Sequence, residues 1–166
     1  MPQSTDLTLD LIISHEPWHE FEKLEALITQ AANAACATAS KLQGAQGPFE
    51  VAINLSNDQQ VKQLNHQFRG KDKATNVLSF PFDNEFPELH QGCQPLGDII
   101  LALETITREA RDEDKLLGHH IAHLVVHGIL HLFDYDHEEL DQARLMEGLE
   151  CQILASLHIP SPYREV

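Results

Sequence analysis

Cysteine is scarce: Cys36, Cys93 and Cys151 are odd in number, far apart, and form no CxxC pair. That spacing argues against a disulfide framework or a thiolate metal site, and the three are expected as reduced, partly buried thiols. Positive charge is scarce too, with 11 basic residues against 26 acidic ones and a formal net charge of -15. Such a balance repels polyanions at long range and argues against general adhesion to nucleic acid or anionic lipid. Long apolar runs are missing, since none approaches the ~20 residues that span a bilayer. The opening MPQSTDLTLD lacks a basic stretch followed by an apolar one, so no secretory signal is read there. The expectation is a soluble cytoplasmic protein with no membrane partner. One local exception to the acidic balance stands out: Lys62, Arg69, Lys71 and Lys73 fall within twelve positions, opposed by Asp72. A basic rim of this kind on an acidic body can hold a few phosphates.

What is present is ordinary for a globular chain, with 42% hydrophobic and 22% charged residues in 166. A length of this order suits one domain, residues 1–166, burying roughly two thirds of its unfolded surface. Leu7, Leu9, Leu11 and Ile13 alternate with polar neighbours and predict a strand over 6–13. An Ala-, Glu- and Leu-rich helix is expected over 18–41, closed by Gly44 and the Gly47-Pro48 pair. Phe49, Val51, Ile53 and Leu55 mark a second strand, and Ser56 or Asn57 caps a short helix reaching Phe68. VLSFPF over 77–82 reads as a third strand stopped by Pro81, and 83–97 as an acidic surface loop. GDIILAL from Gly97 is a fourth strand, TREARDED over 107–114 a short polar helix. A long helix follows from near Lys115 to Phe133, and a last one from Glu138 to before Pro160. The class is therefore α+β, with a small mixed sheet of about four strands covered by about five helices. Alternation alone leaves strand order open.

The stretch HGILHLFDYDH carries His127, His131 and His137. Residues four apart share a helix face about 6 Å apart in rise, so His127 and His131 can address one ion. The third histidine would lie about 15 Å further along a straight helix. The chain must therefore reverse between positions 133 and 136, and Asp134 is among the few non-glycine residues that tolerate the left-handed backbone such a stop uses. Three neutral imidazoles with a fourth position open are the arrangement of a catalytic zinc site, though they suit other borderline divalent ions. The metal site falls on the C-terminal helices. The plainer reading is a histidine stripe: His119, His123, His127 and His131 also form a four-residue series, which a solvated or hydrogen-bonded face would produce without metal. The forced reversal before His137 favours the ligand reading. His119, His120 and His123 are read as structural, with a supporting role behind the ligands as the minority case.

Zinc proteases share the one, five, eleven spacing, with a glutamate base at the second position. Here that position is Gly128, which cannot accept a proton. Asp136 and Glu138 are close enough in sequence to substitute, but each is read first as a residue that supports the ligands from behind or starts the last helix.

HGILHLFDYDH resembles the HGxLHLxGYDH signature of the YbeY family, bacterial metal-dependent endoribonucleases of ribosomal RNA maturation. FRGKDKATNVLSFPF and LGDIIL are similar to that family's other shared stretches, in the same order, so the resemblance spans about 55–162. It implies that His127, His131 and His137 bind zinc and that Arg69 is functionally essential. It implies an α+β fold with the metal at the end of a cleft beside the sheet. It implies single-stranded or structured RNA as substrate, notably precursor ribosomal RNA, with ribosomal particles or proteins as partners. On this reading Arg69 and His127 form the catalytic set, Arg69 orienting the scissile phosphate or stabilising its developing charge. The nucleophile, a hydroxide or the adjacent ribose 2′-hydroxyl, stays open. Without the resemblance Arg69 is a solvated loop arginine, while Lys71 and Lys73 position phosphates in a sequence-independent way. Ser79 and Asp98 lie at strand ends and read as structural residues. The family glycine is Asp134 here, either a hinge or a fourth ligand that closes the open position. Two other functions compete: a metallohydrolase of another phosphoester or a peptide, and a ribosome-assembly factor with a structural metal.

Overall fold

The computed structural model describes residues 7–83 and 92–163. Four strands form one mixed sheet: β1 (Leu7–Ile13), β2 (Phe49–Ser56), β3 (Val77–Pro81) and β4 (Gln94–Ala102), in spatial order β1-β2-β4-β3. β1, β2 and β4 run parallel, and β3 pairs antiparallel with β4 at one edge. Five helices accompany it: α1 (Glu22–Gln43), α2 (Asp58–Arg69), α3 (Leu103–Asp112), α4 (Leu117–Leu132) and α5 (Leu140–Ser156). The expected α+β class is the one found. None of the helices among the described residues is long and apolar enough to cross a membrane.

The sheet's two faces follow from the period of two in each strand. Val51, Ile53, Leu55, Ile99 and Leu101 point into the main core, against Ile28, Ala31, Ala32 and Ala35 of α1 and Ile121, Val125 and Ile129 of α4. The small alanines of α1 let that helix pack close. On the opposite face a second cluster gathers Val61 and Leu64 of α2 with Leu78, Phe80, Ile100 and Ala102. Strand order follows from the two crossovers, which are tertiary facts that a period of two does not encode.

Several boundaries differ from expectation. Glu16–Glu20 form a separate 3-10 turn before α1. Its Trp18 is buried there and donates its indole N–H to the Ser56 carbonyl at 2.8 Å, so the chain turns to reach that bond before the helix begins. β4 starts at Gln94, inside the stretch expected as loop, because it pairs with β2 from Phe49 onward. The rest of that loop, 84–91, lies outside the described residues. Gly97 sits within β4 at φ 138, where an added Cβ would stand 2.1 Å from the Phe80 carbonyl oxygen, so glycine is what lets β3 cross there. α3 begins at Leu103, four residues before the expected start at Thr107. Leu103, Ile106 and Ala110 form its buried stripe, which the preceding apolar strand masks in the sequence.

α4 is apolar nearly all round, as a helix between other layers must be. It is packed against α1, α3, α5, β3 and β4. Gly128 lies at the closest approach: a Cβ there would stand 2.9 Å from Ile99 Cδ1 and 3.2 Å from Ser79 Oγ. The position that carries a base in the zinc proteases is therefore pressed onto the sheet, with no room for a glutamate. Gly128→Val is expected to lower the free energy of unfolding by about 2 kcal/mol through overpacking. Gly128→Ala falls nearer neutral, because alanine recovers about 1 kcal/mol of helix propensity. Urea denaturation of both variants checks this; wild-type stability in the valine variant contradicts the close contact.

Candidate metal centre

The end of α4 builds the site. Phe133 N–H reaches the Ile129 and Leu130 carbonyls, Asp134 N–H the His131 carbonyl at 3.0 Å, and Tyr135 N–H the Leu130 carbonyl at 3.1 Å. This is a Schellman stop, with Asp134 in the left-handed position at φ 70. Tyr135 packs back against the core, and the Asp136 carboxylate accepts the His137 N–H at 2.7 Å. The reversal expected between 133 and 136 is thus present, and it returns His137 over the helix end. Ring centroids lie 4.5 Å apart for His127 and His131, 5.2 Å for His131 and His137, and 5.5 Å for His127 and His137.

One ring nitrogen from each of the three comes within 4.8 Å of the others. His127 Nε2 and His131 Nε2 are 3.0 Å apart; two ligands at zinc bond lengths in a tetrahedral shell stand about 3.3 Å apart. Below them lies Glu150 of α5, 1% exposed, whose Oε1 accepts from His127 Nδ1 at 2.8 Å. Because a carboxylate only accepts, the proton sits on Nδ1 and the Nε2 lone pair faces the other histidines. The residues present therefore fit a divalent ion. Burial pushes the Glu150 carboxyl up, but hydrogen bonds from His123, His127 and Tyr163 outweigh it and hold its pKa at about 2. Burial, reinforced by the neighbouring His127 and His137 rings, drops His131 to about 4. Sequence reasoning missed Glu150. Its signal was present, a lone carboxylate four residues after Met146 on the apolar face it shares with Leu149 and Ile153.

Among the other histidines, His123 reaches Glu150 at 2.7 Å, the supporting position, whereas His120 pairs with Glu109 at 3.0 Å. His119 and His120 help line a separate hollow. Asp134 lines the cleft, but its carboxylate is outside the group of nitrogens that converge, so the structure presents it as the hinge.

The three histidines open into a cleft of about 650 Å³ whose other wall carries Arg69, Lys71, Lys73 and Ser79. Arg69 closes α2 rather than lying in a loop. Its Nη2 donates to the Ser79 carbonyl at 3.0 Å, and its guanidinium carbon lies 5.8 Å from the Phe80 ring centre. Lys71 and Lys73 are exposed on the rim, while Lys62 faces Asp72 at 4.0 Å away from the cleft lining. Ser79 Oγ is buried without a hydrogen-bond partner. Asp98 lies instead in a groove with Phe68 and Phe80. Asp136 and Glu138 stand on the rim near the histidines.

A family model for Endoribonuclease YbeY matches residues 13–158. The chain belongs to the YbeY endoribonuclease family. Endoribonuclease YbeY of a Bradyrhizobium species is 42% identical over 173 residues, covering 99% of this chain and 97% of that relative. The YbeY of Azorhizobium caulinodans is 44% identical over 161 residues, with coverage of 95% and 96%. A solution structure of a Thermotoga maritima protein aligns with a TM-score of 0.52 at 21% identity, covering 95% of this chain and 97% of that one. At that identity it supports the fold alone.

Two expectations follow from the geometry. Unfolded His131 takes up its proton near pH 6.5 and folded His131 near 4, so the unfolded state binds more protons in this window and stability falls as pH falls through it. Metal-free protein is expected to lose about 2 kcal/mol between pH 7 and pH 5 from this group, and His131→Gln to flatten the profile; denaturation at each pH measures both. As the hinge, Asp134 is replaceable: Asp134→Gly should bind zinc within about threefold of wild type with undiminished thermal stability. A loss of tenfold or more in a competition titration would make Asp134 a ligand.

Proposed function

We propose that the protein is a zinc-dependent single-strand endoribonuclease acting in ribosomal RNA maturation and ribosome quality control, in the cytoplasm, with residues 1–166 working as one domain. The observation that carries this reading is a single cleft with three convergent imidazoles on one wall and an anchored guanidinium on the other. Curated relatives covered almost end to end are named endoribonucleases.

His127, His131 and His137 would hold zinc or another borderline divalent ion. When bound, such an ion polarises a phosphoryl oxygen and lowers the pKa of water. Arg69 binds the scissile phosphate: a guanidinium has five N–H donors, and one is spent on the Ser79 carbonyl. That bond and the Phe80 ring beside it fix the fork before substrate arrives, which is worth more than a mobile charge. Lys71 and Lys73 hold flanking phosphates, while Asp134, Asp136 and Glu138 repel them. The strand therefore enters along the basic wall and places one phosphate at the histidine end. Asp136 and Glu138, which line the same cleft, are assigned to take the proton of the attacking hydroxyl. A peptidase reading lacks its base, because Gly128 faces Ile99 and Ser79.

The net charge of -15 weakens unaided approach to RNA, and it favours precursor ribosomal RNA presented within a ribosomal particle, with ribosomal proteins as docking partners. Purified Arg69→Ala and His127→Ala should each lose about 100-fold or more of cleavage of a labelled single-stranded RNA, with circular dichroism unchanged. Undiminished cleavage in both variants would assign the activity to a contaminating nuclease and remove the proposal.

A further inference from the structure

The function proposed above leaves unused the carboxylate of Glu150, buried beneath the imidazoles. Glu150 is 1% exposed on a helix face otherwise made of Met146, Leu149, Ile153 and Leu154. A charge so placed is costly unless donors saturate it. Here they do: Oε1 accepts from His127 Nδ1 at 2.8 Å, and Oε2 accepts from His123 Nε2 at 2.7 Å and from the Tyr163 hydroxyl at 2.5 Å. Donors from α4 and from the segment after α5 thus converge on one α5 carboxylate. Tyr163 also stacks edge-on against His123, with centroids 5.6 Å apart.

An apolar residue of similar size would pack at this place without needing any of these bonds, so the carboxylate requires a reason beyond packing. An imidazole offers one lone pair at a time, and its ring can turn over to exchange the two nitrogens. An acceptor fixed at Nδ1 prevents both changes: it keeps the proton on Nδ1 and the lone pair on Nε2, the atom 3.0 Å from His131 Nε2. Its negative charge also makes the ring a stronger donor to a cation.

We propose that Glu150 is the positioning residue of the metal centre, fixing the tautomer and ring plane of His127, and that His123 and Tyr163 hold Glu150 in place. The proposal rests on reading His127, His131 and His137 as ligands. His123, His127 and Glu150 also bring ligand atoms within 4.8 Å of one another, so a second ion among them is the competing use of the same atoms.

The test uses the full chain stripped with a chelator and titrated with zinc against a chromogenic competitor. Wild type should bind one ion. Glu150→Gln, which keeps an acceptor but loses the charge, should bind about tenfold more weakly, and Glu150→Ala about 100-fold. Tyr163→Phe should weaken binding by a few fold. Ring-nitrogen NMR of the metal-free protein should show His127 as the Nδ1–H tautomer in wild type and lose that preference in Glu150→Ala, a signature that a purely packing role would not move. If Glu150→Ala fails to fold, Glu150→Gln and Tyr163→Phe carry the test. Affinities within twofold of wild type in both would overturn the proposal, as would two ions bound by wild type and one by Glu150→Gln. His131→Ala separates the two readings. If it abolishes zinc binding while the Glu150 variants bind normally, this proposal alone fails; if it binds as wild type, the ligand reading falls and takes this proposal with it.

Discussion

The structure depends on the burial of one helix. α4 is enclosed by α1, α3, α5 and the β3–β4 end of the sheet, and Gly128 allows it to touch Ile99 and Ser79 without a side chain between. A helix held on so many sides cannot slide or rotate to suit a ligand. The histidines on its one accessible stripe therefore sit at positions set by core packing, and packed cores deform little. Ser79 ties the two walls of the cleft together in the same way: its side chain meets the helix at Gly128, and its carbonyl anchors Arg69. The strand that carries Ser79 thus links the guanidinium to the helix that bears His127 and His131.

Much of this was legible in the sequence. Helix and strand periods were strong in α1, β2 and α4, and the one, five, eleven spacing of the histidines demanded the reversal that Asp134 makes. What could not be read has physical causes. Strand order is decided by crossovers, and α3 begins at Leu103 where an apolar helix face continues an apolar strand without a break. Arg69 looked like a loop residue because Gly70 ends α2 immediately after it, and nothing local announces the Ser79 carbonyl ten residues on. Glu150 was hidden for a different reason. Its partners His123 and His127 are more than twenty residues away, so only the anomaly of a carboxylate among apolar neighbours pointed to it.

The charge distribution also acquires a structural meaning. In a chain with 26 acidic and 11 basic residues, the end of α2 and the turn after it bring Arg69, Lys71 and Lys73 together in the lining of one cleft.

The left-handed backbone at Asp134 has a consequence in the genetic code. Aspartate, asparagine and glycine are the residues that hold such a bend with least strain, and aspartate codons are a single base change from those of each of the other two. A lineage can therefore move among these residues at this position in single steps, without an intermediate that straightens the chain and carries His137 away from its neighbours. Glycine to aspartate at this bend leaves the turn intact while adding a negative charge at the mouth of the cleft, so selection can tune the electrostatics of the opening separately from the geometry beneath it.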